Sequence, residues 1–416
     1  MDQSLYNIIG YILLPFIILR LIIKGIKTPK FRQRINERLG LITRIQEPII
    51  WVHCVSVGEF KAAIIIIDKL IKQHPNHKLL VTTTTPTGSD AVISYYKDKV
   101  VNLYFPYDLP LIIRHYIKQI NPKICLLLET EIWPNLIHEL NKKNIPILLI
   151  NARLSQQSKE KYQKFTSNLV KQSLNKISLI VAQNQNSANN FIELGAKNNY
   201  VVITNNIKFD QNTTPDKIIS NTLQKIIGKR KTVIFASTHK NEEIQIINEY
   251  SKNKCAINAL LVIIPRHPER FNIVYKLAKN ANLNIARRSE NRPSQDVQIL
   301  LGDSMGEMMS YFDIANIVFM GGSLSNTGGH NMLEPAAFAK PIIFGSNIFN
   351  FTEISLDLLE QNAAILIQNV SDLFKIIIML LNDEKQCKVL GYNAQQYLYS
   401  KQGAVKNTLQ LINKFI

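Results

Sequence analysis

The chain has 416 residues, 46% of them hydrophobic, and a formal net charge of +18 from 49 Lys and Arg against 31 Asp and Glu. That length is too great for one ordinary core and predicts two domains, while the hydrophobic share excludes an unfolded chain. The positive balance suits an anionic membrane face or a phosphorylated substrate, although Lys is abundant along the whole chain; with no basic block carrying interleaved aromatics, no nucleic-acid partner is expected.

Leu5 to Ile23 is apolar for 19 residues apart from Asn7 and Arg20, long enough to cross a hydrocarbon core as a helix. Arg20 lies near one end, where it can snorkel, and Lys24, Lys27, Lys30, Arg32, Arg34 and Arg38 follow, against only Asp2 on the leading side. The positive-inside rule predicts residues 1–27 as a single-pass anchor with everything after it in the cytoplasm; an interfacial helix and a helix buried in the fold are the alternatives.

From Ile49, short apolar runs alternate with helical segments: IIWVHCVSV, KLLVTTTT, ICLLLE and IPILLINAR are each followed by a helix. This alternation predicts a parallel, doubly wound α/β domain over residues 28–206. Residues 207–230 are polar, with Pro215 and Gly228, and read as a linker. A second series, TVIFAST, ALLVIIPRH, Leu283 to Ala286, VQILLG, IANIVFMGG and KPIIFG, predicts a second such domain over 231–416, whose last helix is a candidate to return to the first domain. Ligands of open α/β sheets bind at the carboxyl ends of strands, so the loops there carry the functional argument.

Three such loops stand out in the first half. Ser56-Val-Gly58-Glu59 leaves a strand and enters a helix, where Glu59 either complements the helix dipole or faces a ligand. Thr85 and Thr87 belong to a hydroxyl-rich strand end that can bind an anion or sugar, or simply runs into a turn. Glu129 and Glu131 set two carboxylates beside the Trp133 indole, which favours an acceptor site over core packing.

In the second half, Ser237 and His239 follow one strand, and Pro265, Arg266, His267 and Arg270 follow the next. The two arginines offer charged forks for a phosphate, or a surface ion-pair set with Glu269. Gly321, Gly322, Gly328 and Gly329 can adopt positive φ and bring backbone close to an anion, and Asn331 can cap a helix of barely two turns before Pro341. This reads as a phosphate-binding corner, or as a tight strand-to-helix connection. His330 and Glu334 beside it can reach a ribose or a base edge. Cys54, Cys125, Cys255 and Cys387 form no C-x-x-C pair, and there is no Asp-x-Asp, so no disulfide, no metal site and no cofactor is expected.

Taken together, WVHCVSVGEF, TTTTPTGSD, ETEIWPN, NARLS, STHKNEE, PRHPERF and GGSLSNTGGHNMLEPAAFAKP resemble, in order, the 3-deoxy-D-manno-octulosonic acid (Kdo) transferases of lipopolysaccharide assembly. The resemblance covers almost the whole chain. It implies a GT-B fold of two Rossmann-like domains facing across a cleft, the donor CMP-Kdo, the acceptor lipid IVA and transfer with inversion. Carried onto this chain, it implies Glu59 as general base. It places Ser56, Gly58, Thr85, Thr87, Glu131 and Trp133 with the acceptor, and Ser237, His239, Pro265, Arg266, His267, the glycine loop, His330, Asn331 and Glu334 with the donor. It further implies an enzyme held at the anionic face of the bacterial inner membrane. A GT-B enzyme with a UDP-sugar donor is the nearest alternative, and a non-catalytic tethered binding protein the alternative of another class. The chain departs from the family's pattern at Cys54, where a small residue is common, and at Asn205-Asn206, where Gly-Asn often precedes Lys208-Phe209-Asp210.

Overall fold

The computed structural model describes residues 1–291 and 296–416. They divide into two compact units, Met1–Gln211 with Lys401–Ile416, and Asn212–Ser400.

The first unit holds seven strands: β1 (Ile49–His53), β2 (Lys78–Thr83), β3 (Val101–Tyr104), β4 (Pro122–Leu128), β5 (Ile147–Ala152), β6 (Leu179–Ala182) and β7 (Val201–Ile203). Their order is β3-β2-β1-β4-β5-β6-β7, with every pair parallel. Every residue of β1 and β5 is buried, because helices cover both faces, which is why these strands read as unbroken apolar runs. Alternate side chains feed two cores. Ile50 and Val52 join Leu79, Val81, Leu126 and Leu148 on one face; Ile49 and Trp51 join Leu80, Cys125, Leu127 and Leu149 on the other. Each fully buried Ile, Leu or Val contributes about 1.5–3 kcal/mol relative to its exposed state. The helix Ala404–Ile412 returns to the first of these cores through Ala404, Val405, Leu409 and Ile412.

The second unit holds β8 (Thr232–Thr238), β9 (Leu260–Pro265), β10 (Ile285–Arg287), β11 (Ile299–Leu301), β12 (Ile317–Met320), β13 (Ile342–Gly345) and β14 (Ala364–Ile367). Their order is β10-β11-β9-β8-β12-β13-β14, again all parallel. In the first sheet the connections reverse direction between β1 and β4, and in the second between β8 and β12. Those two switch points are where an open α/β sheet leaves a crevice at the carboxyl ends of its strands.

Residues 207–230 are not the linker expected. Ile207 and Phe209 are buried in the first unit. The Asp210 carboxylate accepts from the Gly403 and Val405 amides at 2.8 and 2.6 Å, fastening the returning helix. Lys217–Ile227 is a helix of the second unit, capped by Asp216 and burying Leu223, Ile226 and Ile227. Its polar outer face masks an apolar stripe in a composition reading. Asn205, where the family pattern has glycine, sits at φ 68°, a conformation that asparagine tolerates better than most side chains.

Two members of the expected membrane-facing basic cluster are structural. Arg34 forks onto Glu37 at 2.6 and 2.9 Å, and Arg38 is buried over the Tyr104 ring at 4.0 Å with Nη2 donating to the Thr84 carbonyl. The apolar segment forms the helix Gln3–Lys27.

Candidate active site

At the end of β1, Ser56 caps the helix Val57–Gln73 by accepting from the Glu59 amide, and its hydroxyl lies 3.3 Å from Glu59 Oε1. Glu59 Oε2 accepts from the Val55 amide at 2.7 Å. These contacts with Ser56 and Val55 hold the half-buried carboxylate at the switch point. Burial raises its pKa to about 7, against the Val55 hydrogen bond, and the neighbouring carboxylates of Glu129 and Glu131 push it further in the same direction. Gly58 beside it is exposed and has no positive φ; an added Cβ would meet only Ser56 Oγ, at 3.7 Å. Nothing among the described residues demands a glycine there, so its bareness keeps the space over the helix start open.

Across the switch point, at the end of β4, Glu129 stands at φ 55° and its Oε1 lies 3.9 Å from Lys208 Nζ. Glu131 Oε2 accepts from the Trp133 indole at 2.7 Å and lies 3.8 Å from His53 Nε2. His53 is fully buried and stacked on Phe105 at 3.9 Å, and Phe105 in turn meets Trp133 at 5.0 Å. Among the described residues, His53 Nε2 has no hydrogen-bond partner. The two threonines lie one strand further out: Thr85 caps the helix Pro86–Tyr96 by accepting from Gly88, and exposed Thr87 sits 3.4 Å from its hydroxyl. Glu59, Glu131 and Trp133 therefore gather on β1 and β4, with Ser56 and Thr85 serving as helix caps.

The second unit repeats this logic with opposite charge. His239 follows β8 and opens the helix Lys240–Asn253, and its Nε2 lies 2.9 Å from His330 Nε2 with the rings stacked. His267 approaches His239 at 5.5 Å between centroids. Burial lowers the pKa of His330 to about 4, helped by His239, Arg266 and His267, and burial likewise lowers that of His239. Both shifts favour the neutral imidazoles, and one of them can then donate to the other across the facing nitrogens. Arg266 donates its amide to the Thr238 carbonyl at 3.0 Å, and its half-exposed guanidinium has no carboxylate partner among the described residues. Pro265 is buried at the end of β9 opposite Thr238. Arg270 is not available to a ligand: it forks onto fully buried Glu243, with Nε at 2.9 Å.

The glycine loop departs from a simple phosphate cradle. Only Gly322 and Gly328 take positive φ, 76° and 86°. Gly321 is required by packing, because a Cβ there would fall 2.5 Å from the Ser237 carbonyl oxygen. The amides of Gly322 and Leu324 go to the Glu242 carboxylate at 2.8 and 2.9 Å, that of Gly329 to Asn347 and that of His330 to Gly321. Glu242 also accepts from the His239 amide at 3.0 Å, so this one buried side chain ties β8 to β12. Asn331 is not the cap of the short helix Leu333–Ala337, a position held by Met332; its Oδ1 accepts from the Leu333 amide, and its Nδ2 lies 3.3 Å from Glu334. Sequence reasoning does not single out His53, Phe105, Lys208 or Glu242. His53 and Glu242 lie inside the motifs already quoted, whereas the approach of Lys208 to Glu129 has no local signal. Among the described residues, no group of three or more His, Cys, Asp or Glu side chains is placed to hold a metal ion.

A half-buried carboxylate with a raised pKa beside an exposed glycine, and a permanently charged guanidinium among imidazoles, suit proton removal and anion binding. A family model described as 3-deoxy-D-manno-octulosonic-acid transferase (kdotransferase) matches residues 33–211. A 3-deoxy-D-manno-octulosonic acid transferase of Haemophilus influenzae is 37% identical over 424 aligned residues, covering 100% of this chain and 99% of that relative. Another, from Rickettsia felis, is 32% identical and covers 92% of this chain and 82% of its own. The fold is also similar to that of a glycosyltransferase from Rickettsia africae ESF-5, with a TM-score of 0.58 at 14% identity over 89% of this chain and 99% of that one, a likeness in fold alone. Two seven-stranded parallel sheets of GT-B type, loops matching the family's motifs and identity along the full chain lead to one conclusion: the protein belongs to the 3-deoxy-D-manno-octulosonic acid transferase family.

Proposed function

We propose that this glycosyltransferase moves Kdo from CMP-Kdo to lipid IVA with inversion, in lipopolysaccharide assembly at the cytoplasmic face of the inner membrane. The observation that carries the reading is Glu59, a carboxylate titrating at about 7 beside open space at the switch point of the first sheet. An acceptor hydroxyl gives its proton to Glu59 while its oxygen attacks the anomeric carbon of Kdo. The bond from that carbon to the phosphate oxygen breaks, and CMP leaves with the electron pair. Glu59 Oε1, held only by a 3.3 Å contact to Ser56, is the oxygen with capacity for the proton. Arg266 and the His239–His330 pair take up the charge of the departing phosphate, with no metal assigned a step. Glu131 and Trp133, locked together, form one wall of the acceptor pocket, and Ser237, Pro265, His267, Asn331 and Glu334 surround the donor. The deciding experiment supplies purified protein with CMP-Kdo and lipid IVA and reads product mass and CMP release. A Kdo-bearing lipid with stoichiometric CMP is expected; turnover with UDP-sugars instead, or CMP binding without product, overturns the proposal.

A further inference from the structure

The helix Gln3–Lys27 passes the length and hydropathy test for a membrane span, yet its surface is not that of a free span. Its partly covered residues recur at every third or fourth position, from Gln3 through Gly10, Leu14, Ile18 and Leu21 to buried Gly25. That is one stripe along the whole helix, and at its leading turns it meets the first unit. At the leading end the stripe is polar and bonded. Gln3 Nε2 donates to Asn135 Oδ1 at 2.9 Å, Asn135 Nδ2 donates to Asn7 Oδ1 at 2.8 Å, and the Tyr6 hydroxyl donates to Asp108 at 3.0 Å. Asp108 is itself buried, and also accepts from the Asn135 and Leu136 amides. Gly10 lies so close that a Cβ would fall 2.6 Å from Leu109 Cδ2, and at the other end a Cβ on Gly25 would fall 2.9 Å from Arg32 Cβ.

The trailing end of this 25-residue helix joins the first unit through the connector that carries Arg32, and the leading end, about 37 Å away, is bonded to the same unit. A spanning helix would carry Gln3, Tyr6 and Asn7 across about 30 Å of hydrocarbon, away from Asp108 and Asn135, and leave three polar side chains without their partners. The opposite face is apolar and open, with Ile8, Ile12, Phe16, Leu19 and Ile23 each 53–64% exposed. Arg20, Lys24, Lys27 and Arg32 are exposed at the trailing end of that face. An apolar row flanked by cations matches one leaflet of an anionic bilayer.

From this geometry we infer that the helix is a fixed part of the first unit and lies in the plane of one anionic leaflet, so that the chain is held on one side of the membrane and never crosses it. This rests on the membrane attachment proposed above and replaces the single-pass orientation expected from hydropathy. The test uses the full chain carrying Ser4→Cys, an exposed position on the leading turn, with exposed native Cys255 as the internal marker for the side on which the second unit sits. Sealed inverted inner-membrane vesicles are treated with a membrane-impermeant maleimide, and the two thiols are read separately by peptide mass. Labelling of both thiols to the same extent before detergent is expected. Labelling of Cys255 alone, with the Ser4→Cys thiol reached only after the vesicles are opened, overturns the inference in favour of a span. A dimer in membrane-free solution whose apolar rows cross-link to each other also overturns it. Failure of membrane attachment itself is read earlier and separately, as a chain that stays in the supernatant when the vesicles are floated.

Discussion

Replacing Glu59 by Gln tests the assignment of the base with little structural disturbance. The amide oxygen of Gln can still accept the Val55 N–H, now at 2.7 Å from Oε2, and the Ser56 cap on the Glu59 amide is untouched. What disappears is a proton acceptor whose pKa burial has lifted to about 7. Removal of a general base costs about 10²–10⁴-fold in transfer rate. The wild-type profile follows from the same value: the base form is required, so the rate falls as pH drops through about 7, and at pH 6 roughly one molecule in ten is competent. The variant should lose both the rate and that limb while binding CMP normally. Removing a like charge by Glu129→Gln should lower the Glu59 pKa and move the rising limb toward lower pH. Initial rates of CMP release from pH 5.5 to 9, with calorimetric CMP titration beside them, read all of this. A Gln variant with near wild-type turnover, or with the acid limb intact, would refute the reasoning and direct the search for the base to Glu131.

In the second unit, Arg266→Ala should weaken CMP binding by about 1.5–3 kcal/mol in calorimetry, the usual value of a charge-assisted contact, and leave affinity for lipid IVA unchanged. Glu242→Ala strands the buried Gly322 amide and the half-buried Leu324 and His239 amides, so urea unfolding should show a loss of about 1–3 kcal/mol for each amide that finds no water, and donor affinity should fall with it. Gly391→Ala would bring a Cβ to 1.9 Å from the Ala339 carbonyl oxygen, forcing apart the helix Glu384–Ser400 and the end of Leu333–Ala337; a loss of about 1–3 kcal/mol in thermal or urea unfolding is expected. Tyr6→Phe removes one hydrogen bond from buried Asp108 and should cost about 1 kcal/mol of first-unit stability, an effect a helix standing free of that unit would not produce.

Much of this protein is legible in one dimension. Parallel strands buried on both faces must be nearly continuous apolar runs, so the central strands and their alternation with helices follow from hydropathy and length, whereas the partly exposed edge strands β3 and β14 are not read from it. The ends of those runs expose the polar motifs, which is why Glu59, Glu131, Trp133, Arg266 and the glycine loop are visible before any coordinates. Other features depend on groups far apart in sequence. Whether Arg270 serves a phosphate or a carboxylate is decided by Glu243, on the neighbouring helix. The Gly322 and Leu324 amides of the glycine loop are taken by Glu242, 80 and 82 residues earlier. The same holds at the leading helix. Hydropathy averages Gln3, Tyr6 and Asn7 into an apolar segment, and only Asp108 and Asn135, brought beneath that segment by the packing of the first unit, turn the three into a bonded seam. Sequence determines which segments are apolar and where polar groups interrupt them, because those are local properties. Tertiary structure decides which of the polar groups are already satisfied, because each partner arrives from another strand end.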